Sequence, residues 1–255
     1  VLDMPGNSLR ERIVDGDAVL GTFQIVNSMM VSEIATVAGF DFVVIDQEHG
    51  PATAQSTMRA CAGAQSQGGS AVVRVRENAP GEIQRALDVG ADGVQVPQVE
   101  TADDAQRAVN AAKFHPVGER GLSPYGRAGT YEGGPEFEST QNEETVLALQ
   151  VEGVKAVENI DSILDVDGID VLFLGPYDLS QSLGVPGDVQ HDDVVETMRS
   201  VVRKAKDSGT VVGTYADTPT QAGKWLETGV QYVTLAEDAP VLRDAFAELA
   251  GAVER

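Results

Sequence analysis

The chain has 255 residues, 42% of them hydrophobic and 5% aromatic, and carries 40 Asp and Glu against 18 Lys and Arg, a formal charge of −22. That charge excludes a nucleic-acid or anionic-membrane binder, because such a surface repels phosphate. The spread of apolar residues through the sequence excludes a disordered acidic tail.

No apolar run approaches the roughly 20 residues of a membrane helix. The opening stretch VLDMPGNSLRERIVDGD is polar and lacks the apolar core of a secretion signal. A single cysteine, Cys61, permits neither an internal disulfide nor a CxxC metal knuckle. A reducing, cytoplasmic setting is expected. Only five of the bases are Lys, and this acid-rich, lysine-poor balance reads as halophilic, with counterions screening the self-repulsion. An ordinary acidic protein is the alternative.

In chain order, short β-branched runs predict strands at 19–25, 41–46, 71–75, 92–97, 145–151, 170–175, 210–215 and 230–235. Helical periodicity follows at 29–38, 53–65, 80–88, 102–112, 153–164, 191–207, 219–227 and 238–253. Eight strand–helix units in about 250 residues predict one domain over 1–255, a single (β/α)8 TIM barrel. A doubly wound sheet is the runner-up, but no GxGxxG opens a helix. Several strands are entered through a Gly-X-Asp or Gly-X-Gln triplet (Gly39, Gly90, Gly168 and Gly229), where glycine suits the end of the preceding helix. The Gly- and Pro-rich segment 114–144, between strands 4 and 5, breaks the rhythm. It is expected as a long loop on the barrel's C-terminal face, serving as a lid, a binding loop or an oligomer contact.

In a barrel, chemistry sits at the strand C-termini. Strand 2 ends in Asp46-Gln47-Glu48-His49. Strand 3 carries Arg74, with Arg76 beyond, and strand 4 ends near Gln95 and Gln98. Strand 5 ends in Gln150-Val151-Glu152-Gly153, and strand 6 in Gly175-Pro176-Tyr177-Asp178. Tyr215, Asp217 and Glu237-Asp238 lie near the last two strand ends.

Glu152 and Asp178 close consecutive strands, about 4.8 Å apart. An all-oxygen pair favours Mg²⁺ or Mn²⁺, with Co²⁺ the further candidate, although Asp178 could equally cap the next helix. His49, unlike His115 and His191, follows a buried strand with acids beside it, as a general base requires. Arg74 lies within an apolar strand and needs an anion, either a buried acid or a substrate carboxylate. Together these groups suit chemistry next to the carbonyl of a 2-oxo acid. None of the lysines falls within a strand, which disfavours a Schiff base.

The stretches GFDFVVIDQEHGP (39–51), VVRV…ALDVGADGVQVPQVET (72–101), GERG (118–121) and DGIDVLFLGPYDLSQSLG (167–184) resemble the HpcH/HpaI aldolase family, from about residue 8 to 250. The resemblance implies a metal-dependent lyase that splits a 4-hydroxy-2-oxo acid, either a 2-keto-3-deoxy sugar acid or a 4-hydroxy-2-oxo diacid, into pyruvate and an aldehyde. It places the metal on Glu152 and Asp178, the catalytic His on His49 and the pyruvate-gripping Arg on Arg74. It pairs His49 with Asp88, adds Asp46 to the catalytic set, and gives Gln150 and the Gly175-Pro176 backbone to the substrate. It further implies a homo-oligomer, a hexamer built as a trimer of dimers that exchange C-terminal helices. Gly153 departs from the usual Thr or Ser, removing a hydroxyl that caps a helix or bonds behind the metal site. An acyl-CoA or citrate-type lyase and a non-catalytic 2-oxo-acid-binding protein are the competing readings. The first wants a basic patch for CoA that this chain lacks apart from Arg120 and Arg127, and the second has no use for a proton-shuttling His49.

Overall fold

The computed structural model describes residues 8–253. Eight parallel strands close in sequence order: β1 (Val19–Gln24), β2 (Phe42–Asp46), β3 (Ser70–Arg74), β4 (Gly93–Val96), β5 (Val146–Val151), β6 (Val171–Leu174), β7 (Val211–Ala216) and β8 (Tyr232–Glu237). The helices are α1 (Leu9–Val14), α2 (Met29–Val37), α3 (Ala54–Ser66), α4 (Pro80–Asp88), α5 (Ala102–Ala112), α6 (Phe137–Glu144), α7 (Val154–Glu158), α8 (Ile160–Leu164), α9 (Pro176–Ser182), α10 (Asp192–Ser208), α11 (Pro219–Thr228) and α12 (Asp238–Gly251). The fold is the expected (β/α)8 barrel. The helix expected over 153–164 is split at Asn159 into α7 and α8, and α1, α6 and α9 are additional. The first seven and last two residues of the expected 1–255 domain lie outside the described residues. Among the described residues no helix is long and apolar enough to cross a membrane.

Strand parity builds two cores. Outward residues such as Val43, Ile45, Val73 and Leu147 pack under the helices, while Phe42, Val44, Val72, Val146, Ala148 and Phe173 fill the barrel. Leu9 and Ile13 of α1 belong to this inner cluster and plug its entry end. Ser8 caps α1 in a reciprocal box with Glu11. Gly21 gives the inner layer room: a Cβ there would fall 2.2 Å from the ring of Phe42, which stacks on Tyr232 at 4.3 Å.

The recurring entry triplet has a physical purpose. Gly39 and Gly90 turn the chain at φ +107° and +94°. The acid two residues on then accepts an N–H at the start of the preceding strand: Asp41 from Leu20 (2.8 Å), Asp92 from Ala71 (2.7 Å) and Asp170 from Leu147 (2.8 Å). Each triplet thus ends one unit and ties its strand to the neighbour.

The 114–144 segment is not on the C-terminal face. It follows α5, and helices run back toward the strand entries, so it crosses the N-terminal end of the barrel. There Arg10 of the plug helix donates to the Glu143 carbonyl (3.0 Å), and Arg127 donates to Gln65 (2.8 Å). The segment is also not structureless: it contains a turn of 3₁₀ helix (Arg127–Gly129) and α6. Lys113, the one lysine buried against the barrel, lies at this end too, donating to Thr145 O (2.6 Å) and Asp170 (3.1 Å).

Candidate active site

The same parity that fills the barrel puts a polar layer at its mouth. In β2, Phe42 and Val44 point inward, so Asp46 does as well; in β3, Val72 is followed by Arg74, and in β5, Ala148 by Gln150. The register sets Asp46 beside Arg74 and Arg74 beside Gln95. Arg74 grips Asp46 with two parallel bonds, Nε to Oδ1 and Nη2 to Oδ2, both 2.8 Å. Asp46 is fully buried and also accepts the N–H of Glu48 (3.0 Å) and of His49 (3.3 Å). Its oxygens are therefore committed, and it acts as the anchor of Arg74 and of the strand-2 turn. The guanidinium lies 4.7 Å from the Phe23 ring centroid, with Glu48 at 3.4 Å from Nε. Burial works against the Arg74 charge, but the bonds and charge of Asp46 outweigh it and hold its pKa above the ordinary value. Among the described residues Nη1 has no hydrogen-bond partner, and it remains for a ligand.

Glu152 is held at both oxygens. Oε1 accepts the Gln98 N–H (2.8 Å), at a residue with φ +57°, and Oε2 accepts Nε2 of Gln150 (2.7 Å). Gln150 in turn accepts from Gln95. Gly175 is required here, since a Cβ would fall 2.9 Å from Oε2 of Glu152. Asp178 is not a helix cap: Gly175 is the N-cap of α9, Asp178 stands in its first turn, and it makes no hydrogen bond among the described residues. Burial first, then the negative charge of Asp178 and Glu48, pushes Glu152 up to about 7. Two carboxylates on consecutive strand ends, one held at both oxygens and one without a side-chain hydrogen bond among the described residues, form a donor set that suits a hard divalent cation. Among the described residues no group of three or more His, Cys, Asp and Glu could hold a metal, so water and substrate would complete the coordination.

A cavity of about 600 Å³ brings together His49, Arg74, Gln150, Glu152, Gly175, Pro176 and Asp178, seven of the nine residues singled out from the sequence. A second cavity of about 750 Å³ shares His49, Glu152 and Asp178. The His49 ring lies between the two and makes no side-chain hydrogen bond among the described residues. The N–H of Gly175 is engaged by the Val151 carbonyl at 3.3 Å and Pro176 has none, so this corner offers a carboxylate space rather than those two donors. Phe23 on the cavity wall was not expected, although its alternation with Gly21 along β1 already directs it inward.

The sequence model of the HpcH/HpaI aldolase/citrate lyase family matches residues 20–245. The chain belongs to that family. It is 33% identical over 240 residues to a 2-keto-3-deoxy-L-rhamnonate aldolase of Shigella dysenteriae, covering 94% of this chain and 90% of the relative. An HpcH/HpaI aldolase/citrate lyase family protein from Burkholderia cenocepacia superposes with a TM-score of 0.91 at 31% identity, over 96% and 98% of the two chains. A citrate synthase, SbnG, superposes with a TM-score of 0.87 at 29% identity, over 96% and 97%.

Two expectations drawn from the HpcH/HpaI resemblance change. Asp88 ends α4, near the strand entries at the far end of the barrel, and pairs there with Arg120 (Nη2 to Oδ1, 2.8 Å) and more loosely with Gln84 (3.4 Å). It does not meet His49 within one chain, because every barrel helix carries its C-terminus away from the catalytic face. The hydroxyl missing at Gly153 is supplied from elsewhere: Ser182 Oγ accepts the Val154 N–H at 3.0 Å.

Proposed function

We propose that this protein is a class II, divalent-metal-dependent pyruvate aldolase, a lyase that cleaves a 4-hydroxy-2-oxo acid into pyruvate and an aldehyde. The observation that carries this reading is the shared cavity, in which a clamped guanidinium, an unpartnered imidazole and two facing carboxylates stand on one barrel face. Arg74 binds the substrate carboxylate through Nη1, pre-oriented by Asp46. Glu152 and Asp178 would hold a Mg²⁺, Mn²⁺ or Co²⁺ ion, which would supply the positive charge that draws electrons toward the 2-oxo group. Gln150 fixes Glu152 and lines the same space. His49 takes the proton from the C4 hydroxyl, directly or through water, as the C3–C4 bond breaks. The electrons pass to the pyruvate half as its enolate, the aldehyde leaves, and a proton returns to C3.

The protein acts as a homo-oligomer. α12 exposes Phe246 (66%) and Leu249 (69%), α2 exposes Ile34 (66%) and Val37 (73%), and an apolar cavity of about 460 Å³ lies between these helices. The surface fits the resemblance's dimers that exchange C-terminal helices. A second copy also supplies the only route by which an Asp88 can reach His49. Mixing His49→Ala with Asp88→Asn protein restores activity if the pair forms between copies, and both stay inactive if it does not.

The citrate synthase similarity raises a CoA-dependent alternative, but among the described residues Arg74 is the only Arg or Lys lining the central cavity, and it is engaged by Asp46. The deciding experiment is pyruvate release from a panel of 4-hydroxy-2-oxo acids in high salt, with EDTA or with added Mg²⁺ or Mn²⁺. Metal-dependent release is expected. Its absence, together with no metal-dependent exchange of pyruvate methyl protons into D₂O, refutes the reading.

A further inference from the structure

The central cavity has a second end. From the Arg74 guanidinium a row of rings leads away: Phe23 at 4.7 Å, then Tyr215 at 6.0 Å from Phe23, then Tyr177 at 6.0 Å from Tyr215. The row finishes in a hydrogen bond of 2.7 Å from the Tyr177 hydroxyl to Asp217. Glu237 closes the same wall after Ala236, a non-glycine residue held at φ +58°. Such a conformation is uncommon outside glycine and marks a position the fold has over-determined.

Resting on the aldolase reading, we infer that Tyr177, Asp217 and Glu237 bind the aldehyde half of the substrate through its hydroxyls, selecting an uncharged, hydroxyl-bearing aldehyde over one that carries a carboxylate. The charge distribution decides this. A substrate with a second carboxylate needs a second cation, and among the described residues the cavity wall has none besides Arg74. The adjoining cavity offers Lys155, but Glu100 occupies it at 2.7 Å. A carboxylate tail would therefore face Asp217 and Glu237 with no counter-charge. A hydroxyl donates to those same oxygens, and a bond to an ionised acceptor is stronger than one to a neutral group. Tyr177 gives its hydroxyl proton to Asp217 and keeps its oxygen to accept from a substrate hydroxyl. Its ring and that of Tyr215 offer the apolar edge against which a short carbon chain packs.

The test runs the reaction in the synthetic direction, with pyruvate, Mn²⁺ and one of three aldehydes: glyceraldehyde, propanal or succinic semialdehyde. The expected order in kcat/KM is glyceraldehyde above propanal by about tenfold or more, with succinic semialdehyde lowest. Asp217→Asn and Tyr177→Phe each bring the glyceraldehyde-to-propanal ratio toward one, the second while keeping the ring packed on Tyr215. Asp217→Lys raises succinic semialdehyde relative to glyceraldehyde. Preference of the native protein for succinic semialdehyde, or an unchanged ratio in both conservative variants, overturns the assignment. Metal-dependent exchange of pyruvate methyl protons, run alongside, separates the two levels. If exchange occurs and the aldehyde order fails, only this assignment falls; if exchange itself is absent, the aldolase reading falls with it.

Discussion

Asp46→Asn is the most informative perturbation of the barrel mouth. Asp46 is completely buried and accepts bonds from Nε and Nη2 of Arg74 and from the N–H groups of Glu48 and His49. Asparagine keeps one acceptor, but it turns the other position into a donor that faces N–H groups. Arg74, with a side chain only 12% exposed, loses its full counter-charge. Removing one partner of a buried pair costs about 3–5 kcal/mol. Glu48 stands 3.4 Å from Nε and takes up part of the charge, so about 3 kcal/mol is expected, roughly a hundredfold in an equilibrium constant. Urea unfolding of the native protein, Asp46→Asn, Arg74→Met and the double variant measures it. The double variant should be more stable than the sum of the single losses, because it leaves no unpaired charge. The KM for pyruvate in the synthetic reaction should rise about tenfold or more in Asp46→Asn as Arg74 loses its orientation. The exposed pair Lys204–Asp161 (2.8 Å) is the control, with no measurable coupling expected. Coupling between Asp46 and Arg74 no larger than that control, with an unchanged KM, would refute the anchoring argument.

Other outcomes follow from the same geometry. Glu152 has a folded pKa of about 7, above its ordinary value of 4.5, so the folded metal-free protein binds this proton more tightly than the unfolded chain. Stability in EDTA should fall as pH rises from about 4.5 through 7, and Glu152→Gln should flatten that slope in Tm; a flat native profile contradicts the assignment. Gly175→Ala places a methyl 2.9 Å from Glu152 Oε2, and Mn²⁺ titration should show binding weakened about tenfold or more while far-UV circular dichroism is retained. A formal charge of −22 predicts that transfer from molar to low salt lowers Tm and loosens the oligomer. Equal Tm and equal sedimentation in both conditions would reject the halophilic reading.

The strands were legible because each is a short β-branched run buried on both faces, and their parity also told which side chains point into the mouth. Asp46 follows Phe42 and Val44 at a spacing of two, and Arg74 follows Val72, so alternation alone points both inward, while the β2–β3 register pairs them. α6 was hidden because its eight residues, FESTQNEE, bury only Phe137 and show little apolar periodicity. The place of the 114–144 segment depends on α5, which follows β4 and turns the chain back to the barrel entry before the segment begins.

By itself, then, the sequence determined the barrel, the family and the identity of the groups at the strand ends, since those depend on local periodicity and on motifs a few residues long. Only the tertiary structure decided which of those groups meet. Asp88 lies in a familiar motif, yet its helix delivers it to Arg120 at the opposite end of the barrel. Tyr177, Tyr215 and Phe23, far apart in the chain, become one row leading from Arg74 to Asp217. Closure of eight strands into a ring brings distant residues into contact, and no local pattern records which neighbours that closure creates.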